Sequence, residues 1–394
     1  MQRVYLDHAA TTPVRPDVLE AFRAATESTF GNASSIHSFG QDAKKLLEES
    51  RDRVARAIGA ESPEIIFTSG GTESDNLAIT GVARALKNRG KHIITTAIEH
   101  PAVLNTCRSL EDEGFEVTYL PVDSECVLSM SALAASIKEE TVLVSAMYAN
   151  NETGSIQPVA DIAKLTREHG VLLHTDAVQA LGKVDIDVDS LGVDLLSMSA
   201  HKIYGPKGVG ALFVREGTPI DNLFYGGHHE RGIRPGTENV PGIAAFATAV
   251  ELAVQELPES AERLRALKAR LAEGVLANVD GAHENGSRGM SLPNILNVGF
   301  EGVDGEALLL SLDLMGIGVS TGSACSSGST DPSHVLLAMG IRPRLAQASI
   351  RFSLGRGNTA EEIDRVVEVL PPMVQRLRAL SPLIDRHRPG IIEA

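Results

Sequence analysis

The chain has 394 residues, 43% hydrophobic and 22% charged, a composition that fills a sizeable core and excludes disordered, collagen-like and fibrous classes. Lys and Arg number 36 against 51 Asp and Glu, so the formal net charge of −15 sets the average surface against nucleic-acid backbones and anionic lipid. No window has the apolar length of a membrane span, the opening MQRVYLDHAATT does not read as a secretory signal, and the scattered Cys107, Cys126 and Cys325 make neither a disulfide framework nor a metal cluster; a reducing, cytoplasmic compartment is expected.

In chain order, Pro16 opens an apolar-periodic stretch that predicts a helix to about residue 29. A second helix is expected over 38–58, where Leu47, Val54 and Ile58 share one face and Gly59 follows as a cap. Short β-rich runs come next at 64–68 (EIIFT), 91–96 (KHIITT), 115–120 (FEVTYL), 142–147 (VLVSAM), 171–175 (VLLHT), 195–198 (LLSM) and 209–214 (VGALFV). Helical stretches between them open with Pro and close with Gly, at 101–114 and 158–170. Near-continuous apolar strands alternating with helices predict an α/β fold whose mostly parallel sheet is covered on both faces. Helical stretches at 239–256 and 259–277 lead to a smaller α+β unit, with strands at 295–300 and 348–354 and helices at 304–315 and from about 359.

Ligands of open parallel sheets bind outside the carboxyl ends of the strands, and the polar residues of interest fall at such ends. After EIIFT comes Ser69-Gly70-Gly71-Thr72, a glycine pair opening a helix. It reads either as a phosphate cradle or as a tight turn capped by Thr72. His100, in IEHPAV, is a helix cap or a functional imidazole; Asn150 and Asn151 read as an Asx turn. Asp176 ends LLHTD with Gln179 three residues on, and a carboxylate there needs a partner such as a positively charged ring nitrogen. Lys202, in SAHKIYGPKG, lies just past an apolar strand, where desolvation frees an amine for Schiff-base chemistry. A phosphate cradle, an aromatic His, a carboxylate and a lysine at successive strand ends suit pyridoxal phosphate.

The segments LDHAATTPV, GNASSIH, FTSGGTESDNLAI, EHPAVL, NNETGSIQP, HTDAVQALGK, SAHKIYGPKGVGAL, RPGTEN, PNILNVGF, TGSACSSG and SIRFSLGR together resemble the cysteine desulfurases of the NifS/IscS type. These are fold type I pyridoxal phosphate enzymes of the class V aminotransferase group, and the resemblance runs from about residue 3 to residue 383. It implies a large cofactor-binding domain over 16–258 and a small domain from 1–15 and 259–394 that carries the catalytic Cys loop. Lys202 is then expected to hold the cofactor as a Schiff base, Asp176 to pair with the pyridinium nitrogen, His100 to stack on the ring and move protons, and Gln179 to bond the ring hydroxyl. Gly71, Thr72, Ser199 and His201 are expected at the phosphate. Thr237, in RPGTEN, resembles a position that reaches the phosphate of a neighbouring subunit, which implies a homodimer with shared sites. Asn151, also beside the cofactor, and Arg351 resemble the groups that grip the substrate carboxylate, a task suited to an arginine fork.

Cys325 stands among Gly322, Ser323, Ser326, Ser327 and Gly328, which cannot build an apolar pocket, so an exposed loop is expected; the resemblance places a nucleophile there. Cys107 and Cys126 read as buried structural thiols. The implied reaction converts L-cysteine to L-alanine and leaves the sulfur on Cys325 as a persulfide, for iron–sulfur cluster assembly or other sulfur transfer. A selenocysteine lyase or an aminotransferase on the same scaffold is the alternative. A cofactor-free thiol hydrolase leaves Lys202, Asp176 and the glycine pair unexplained, and a sulfur-carrier protein predicts no turnover of cysteine. The carboxyl end, LSPLIDRHRPGIIEA, is shorter than the tail with which some relatives dock an iron–sulfur scaffold protein.

Overall fold

The computed structural model describes residues 3–321 and 331–380; Cys325 lies outside them. The central sheet has seven strands, in the order Ile65–Thr68, Gly210–Val214, Leu195–Ser199, Leu172–Asp176, Thr141–Ser145, His92–Thr96 and Glu116–Leu120. The five strands from Leu195–Ser199 to Glu116–Leu120 run parallel to one another, while Gly210–Val214 is antiparallel to both of its neighbours. The reversal follows from chain length. Only ten residues (200–209) separate Ser199 from Gly210, too few for the helical crossover that a parallel neighbour requires.

Successive residues of these strands feed opposite cores. Ile65, Phe67, Ile94, Val144, Leu196 and Phe213 pack into one hydrophobic cluster with the helices Ser38–Ala57, Val159–Glu168 and Val240–Gln255. Ile66, Ile93, Leu143, Leu195 and Leu212 pack into another with Gly71–Ala85 and Pro101–Asp112. Alternation with both faces apolar is why the strands read as continuous hydrophobic runs. Gly59, at φ +70°, lets the chain leave helix Ser38–Ala57 in the left-handed conformation; a Cβ there would meet Asp187 Oδ2 at 2.4 Å.

The smaller unit is a three-stranded antiparallel sheet with Ile295–Phe300 between Ser349–Ser353 and Ala282–Asn285. Its core gathers Leu264, Leu271, Val298, Phe352 and Val366 together with Val4 and Leu6. The chain start therefore packs with the chain end: Val4–Tyr5 pairs in parallel with Ile317–Gly318. Neither of these two-residue strands nor the short helices Met130–Ser136, Val188–Leu191, His334–Ala338 and Pro343–Gln347 was expected, because none is long enough to display a period. Among the described residues no single helix is long and apolar enough to cross a membrane.

The segment leading to Thr237 is fastened to the sheet edge by a buried ion pair. Arg51 donates to both carboxylate oxygens of Glu230, at 2.7 and 2.8 Å, and to the Ile65 carbonyl, while Glu230 also accepts the Phe67 N–H at 2.8 Å. Glu230 and Arg231 sit at φ +43° and +56°, in the left-handed region that residues with a Cβ seldom adopt; those bonds hold Glu230 there, and Arg231 donates to the Pro63 carbonyl. Glu230→Ala leaves the buried Arg51 charge with only the exposed Glu48 as an anion, and should cost about 3–5 kcal/mol in urea unfolding. A loss below about 1 kcal/mol would show that the pair behaves like a surface contact.

Candidate active site

The carboxyl ends of the parallel strands converge with the two glycine turns at the sheet edge. Strand Ile65–Thr68 runs into Gly70 and Gly71, the start of helix Gly71–Ala85. Gly70 has φ +148°; a Cβ on Gly71 would lie 2.7 Å from Val178 Cγ2, and one on Gly210 would lie 2.7 Å from Gly70 Cα. Glycine at all three lets the turn close over Ser199, whose Oγ is buried and has no hydrogen-bond partner. Thr72, next along the helix, is exposed, and so is Thr237.

Lys202 ends the 3₁₀ turn Ala200–Lys202 that follows strand Leu195–Ser199. Its Nζ donates to the carbonyls of Ala9 at 2.6 Å and Ala10 at 2.8 Å. Gln179 Nε2 donates to the same Ala9 oxygen at 2.9 Å, leaving Gln179 Oε1 buried without a partner. Thr12 donates its N–H and its Oγ1 to the His201 carbonyl, and His201 Nδ1 lies 3.2 Å from Thr11 Oγ1. A stretch of main chain from residue 9 to residue 12 thus lines the site; the sequence marked it only as part of LDHAATTPV, within the resemblance and with no role assigned.

Asp176 ends its strand buried, with Oδ1 accepting the Val178 N–H at 2.9 Å. Burial pushes its carboxyl up to about 6, against the pull of that N–H and of Lys202. Two further acids lie behind it. Burial pushes Glu99 up to about 8, although Thr96 Oγ1 and the Met147 N–H both donate to its Oε1; its Oε2 has no partner. Asp75 is raised by burial and then by the charges of Asp176 and Glu99. Its neighbour His174 cannot neutralise it. That ring is pinned between Ser145 and Ser197 and lowered by burial to about 3.

His100 performs the capping role: its Nδ1 accepts the Ala102 N–H at 3.1 Å at the start of helix Pro101–Asp112. Burial, then the positive charges of Lys202 and His334, lowers the ring to about 4. It is therefore neutral near pH 7 with its proton on Nε2, so it can cap the helix and still offer a donor to the site. His201 is lowered to about 4 by burial and by Lys202, Lys207 and Lys183.

Arg351 is brought beside Asn151, although through main chain: Nη1 donates to the Asn151 carbonyl at 2.9 Å and Nη2 to Asp7 Oδ1 at 2.8 Å, leaving Nε buried without a partner. The Asx turn expected at Asn150 is present, with its Oδ1 accepting from the N–H groups of Glu152 and Thr153. Ser320, just before the segment containing Cys325, pairs backbone-to-backbone with Arg351. Beyond that segment, Ser333 donates to buried Glu152, and His334 Nε2 lies 3.0 Å from the Glu99 carbonyl. Cys107 and Cys126 are buried, and burial pushes both thiols up to about 12, which leaves them inert as nucleophiles at neutral pH.

The donor set fits a phosphorylated pyridine carrying a carbonyl. A glycine turn at a helix start and the partnerless Ser199 hydroxyl suit the phosphate. The partnerless Gln179 Oε1 suits a hydroxyl, buried Asp176 a ring N–H⁺, and Lys202 a carbonyl carbon. The sequence matches the family described as Aminotransferase class-V over residues 4–366. The cysteine desulfurase IscS of Clostridium botulinum is 52% identical over 388 residues, covering 98% of both chains. That of Methanosarcina thermophila is 52% identical over 384 residues, covering 98% of this chain and 95% of its own. Among solved structures, a NifS-like protein superposes with a TM-score of 0.90 at 42% identity, covering 95% of this chain and 100% of that one. A second, SspA in complex with cysteine, gives 0.79 at 37% identity, covering 90% and 99%.

Glu99 gives the pH behaviour of this interior a definite sign. Its carboxyl holds a proton up to about 8 when folded and releases it near 4.5 when unfolded, so the folded chain binds more protons in between. Its contribution to stability is complete below about 4.5 and is lost as pH rises through about 8. Glu99→Gln keeps the acceptor oxygen and cannot ionise. The fall in urea midpoint between those pH values should shrink in this variant, and equal slopes for variant and wild type would contradict the assignment.

Proposed function

This chain belongs to the aminotransferase class-V family, and from that premise we propose how its residues divide the work of one reaction. It is a pyridoxal-phosphate-dependent cysteine desulfurase. The observation that supports the residue assignments is that Lys202 and Gln179 share the Ala9 carbonyl, the Lys202 charge acts on buried Asp176, and the buried Ser199 and Gln179 oxygens near these strand ends have no partner.

Bound there, pyridoxal phosphate supplies a carbonyl that condenses with amines and a ring that accepts the electron pair released at Cα. Lys202 anchors it and, once displaced, takes the Cα proton of L-cysteine. Asp176, its charge stabilised by a bonded cation, keeps the ring nitrogen protonated. Ser199, His201, Thr72 and the Gly71 N–H would hold the phosphate, Gln179 would accept from the ring hydroxyl, and His100 would stack on the ring with its Nε2–H available for proton transfer. Arg351 and Asn151 hold the substrate carboxylate. The Cys325 thiolate attacks the substrate sulfur: an S–S bond forms, the C–S bond breaks, and its electron pair stays with carbon and is protonated. The balance is enzyme thiol plus cysteine giving enzyme persulfide plus alanine. An unperturbed thiol is only a few per cent thiolate near neutrality, so the anion must be favoured where it meets substrate.

The chain works as a homodimer in the cytoplasm, and the persulfide passes to acceptor proteins such as an iron–sulfur scaffold. Supporting the dimer, Thr72 and Thr237 are exposed, and Phe30, Ile36 and Phe39 present apolar side chains to solvent, Ile36 at 92% exposure. The division into residues 16–258 and residues 1–15 with 259–394 is supported by the separate core that joins Val4 and Leu6 to the later helices.

Cys325→Ala should retain the cofactor's yellow absorbance and bind cysteine, while alanine and persulfide formation fall to background. Normal alanine production by that variant would overturn the thiol's role. Lys202→Ala should lose the Schiff-base absorbance of the resting enzyme, and an unchanged spectrum would remove the lysine from its proposed place.

A further inference from the structure

Behind Lys202 lies a second lysine for which the reaction has no use. Lys183 follows Gly182, at φ +68°, where a Cβ would meet Ala253 Cβ at 2.7 Å; only glycine fits, and the turn fixes where the next side chain points. Lys183 is 8% exposed. Its Nζ donates to the main-chain carbonyl of Lys202 at 3.3 Å, and this is its one hydrogen-bond partner among the described residues.

The amine borders a cavity of about 50 Å³, lined also by Lys202, His8, Arg15, Asn294 and Arg356. Three buried atoms of this lining have no hydrogen-bond partner: His8 Nδ1, Arg15 Nε and Asn294 Oδ1. A volume of that size, ringed by donors and an acceptor, suits water. It adjoins a cleft of about 1000 Å³ that shares His8, Arg15, Tyr204, Glu256 and Arg356 with it.

The charges facing Lys183 come from every neighbouring element. Arg15 precedes helix Pro16–Ser28, Glu256 stands between the helices Val240–Gln255 and Leu257–Asn278, and Arg356 follows strand Ser349–Ser353. Glu256 is engaged by Arg15 at 2.9 Å and by Arg356 at 3.5 Å. His8, from the chain start, is lowered to about 4 by burial and by Lys183 itself. His201 and the Tyr204 phenol, raised by burial, add no negative charge near pH 7. Among the described residues the Lys183 ammonium therefore has no anion of its own, and it lines one cavity with Lys202.

We propose that Lys183 is a positioning residue for the reaction: it fixes the turn bearing Lys202 through the Lys202 carbonyl, and its charge opposes protonation of the Lys202 nitrogen. This rests on the reading of Lys202 as the cofactor-bearing lysine. Two amines in one buried region titrate as a pair, so charge on one disfavours charge on the other. Burial, then Lys202, brings the Lys183 amine down from 10.5 to about 7, which shows how strongly this interior resists a second cation.

The test uses the substrate-free holoenzyme and the pH titration of the cofactor's visible absorbance. Lys183→Met keeps most of the aliphatic stem and removes the charge; Lys183→Gln removes the charge and keeps an N–H donor for the Lys202 carbonyl. Both should move the titration midpoint upward by about one pH unit. A wild-type midpoint in a folded, cofactor-loaded variant overturns the proposal, and if the Met variant does not fold the Gln variant decides alone. NMR titration of the Lys183 amine in the unmodified holoenzyme gives a second reading. Titration near neutrality supports the proposal, and titration in the ordinary lysine range overturns it. The premise is tested separately: if Lys202→Ala retains the Schiff-base absorbance, the reading of Lys202 fails whatever Lys183 does.

Discussion

Two carbonyl oxygens hold this structure's reactive end together. Ala9 and Ala10 accept from Lys202 Nζ, and they belong to a segment whose strand Val4–Tyr5 is paired in the smaller unit. The same segment accepts the Gln179 amide at the Ala9 carbonyl, donates the Ala9 N–H to the Ser353 hydroxyl, and sends Thr12 to the His201 carbonyl. A single short stretch, turned at residues 8–10, thus stitches the carboxyl ends of the large sheet to strand Ser349–Ser353 of the small one. Main-chain acceptors suit that place because they orient an amine without adding a charge that would fix it as ammonium.

The interior around this contact is electrostatically costly on both signs. Asp75, Glu99 and Asp176 are three buried carboxyls with no arginine paired to them among the described residues, and His174, His100 and His201 are held neutral nearby. Such a region accommodates little net charge of its own, so the acids keep protons that water would remove and the bases lose protons they would ordinarily keep. On the proposed role of Asp176, a cationic ring would change that balance by adding a second opposite charge beside that of Lys202. Unpaired buried groups would weaken an ordinary core; here they are concentrated where a ligand completes them.

Much of this was legible in the residues. The seven strands appeared as apolar runs because both sheet faces are covered, and the polar residues were found at strand ends because that is where a parallel sheet presents them. What the sequence hid has physical causes. The antiparallel strand Gly210–Val214 reads like its neighbours, since direction leaves no mark on composition. Ala9 and Ala10 act through carbonyls that every residue possesses. Glu99 and Asp75 sit within a turn and on a helix and become unusual only through burial. His100 offered two competing readings, cap and functional imidazole, and one ring accommodates both because capping consumes only Nδ1.

The guanidinium of Arg351 shows how the substrate end connects to the lysine end. Its terminal nitrogens are engaged by the Asn151 carbonyl and by Asp7, and its Nε lacks a partner. On the proposed role of Arg351, an arriving carboxylate competes with Asp7 for the same fork, and two carboxylates cannot both be bound there without repulsion. Asp7 lies two residues before the carbonyl that holds Lys202 Nζ. The Asp7 backbone is itself bridged to Ser353, so the Arg351 contact and the amine's carbonyls lie on one short segment that the small sheet anchors.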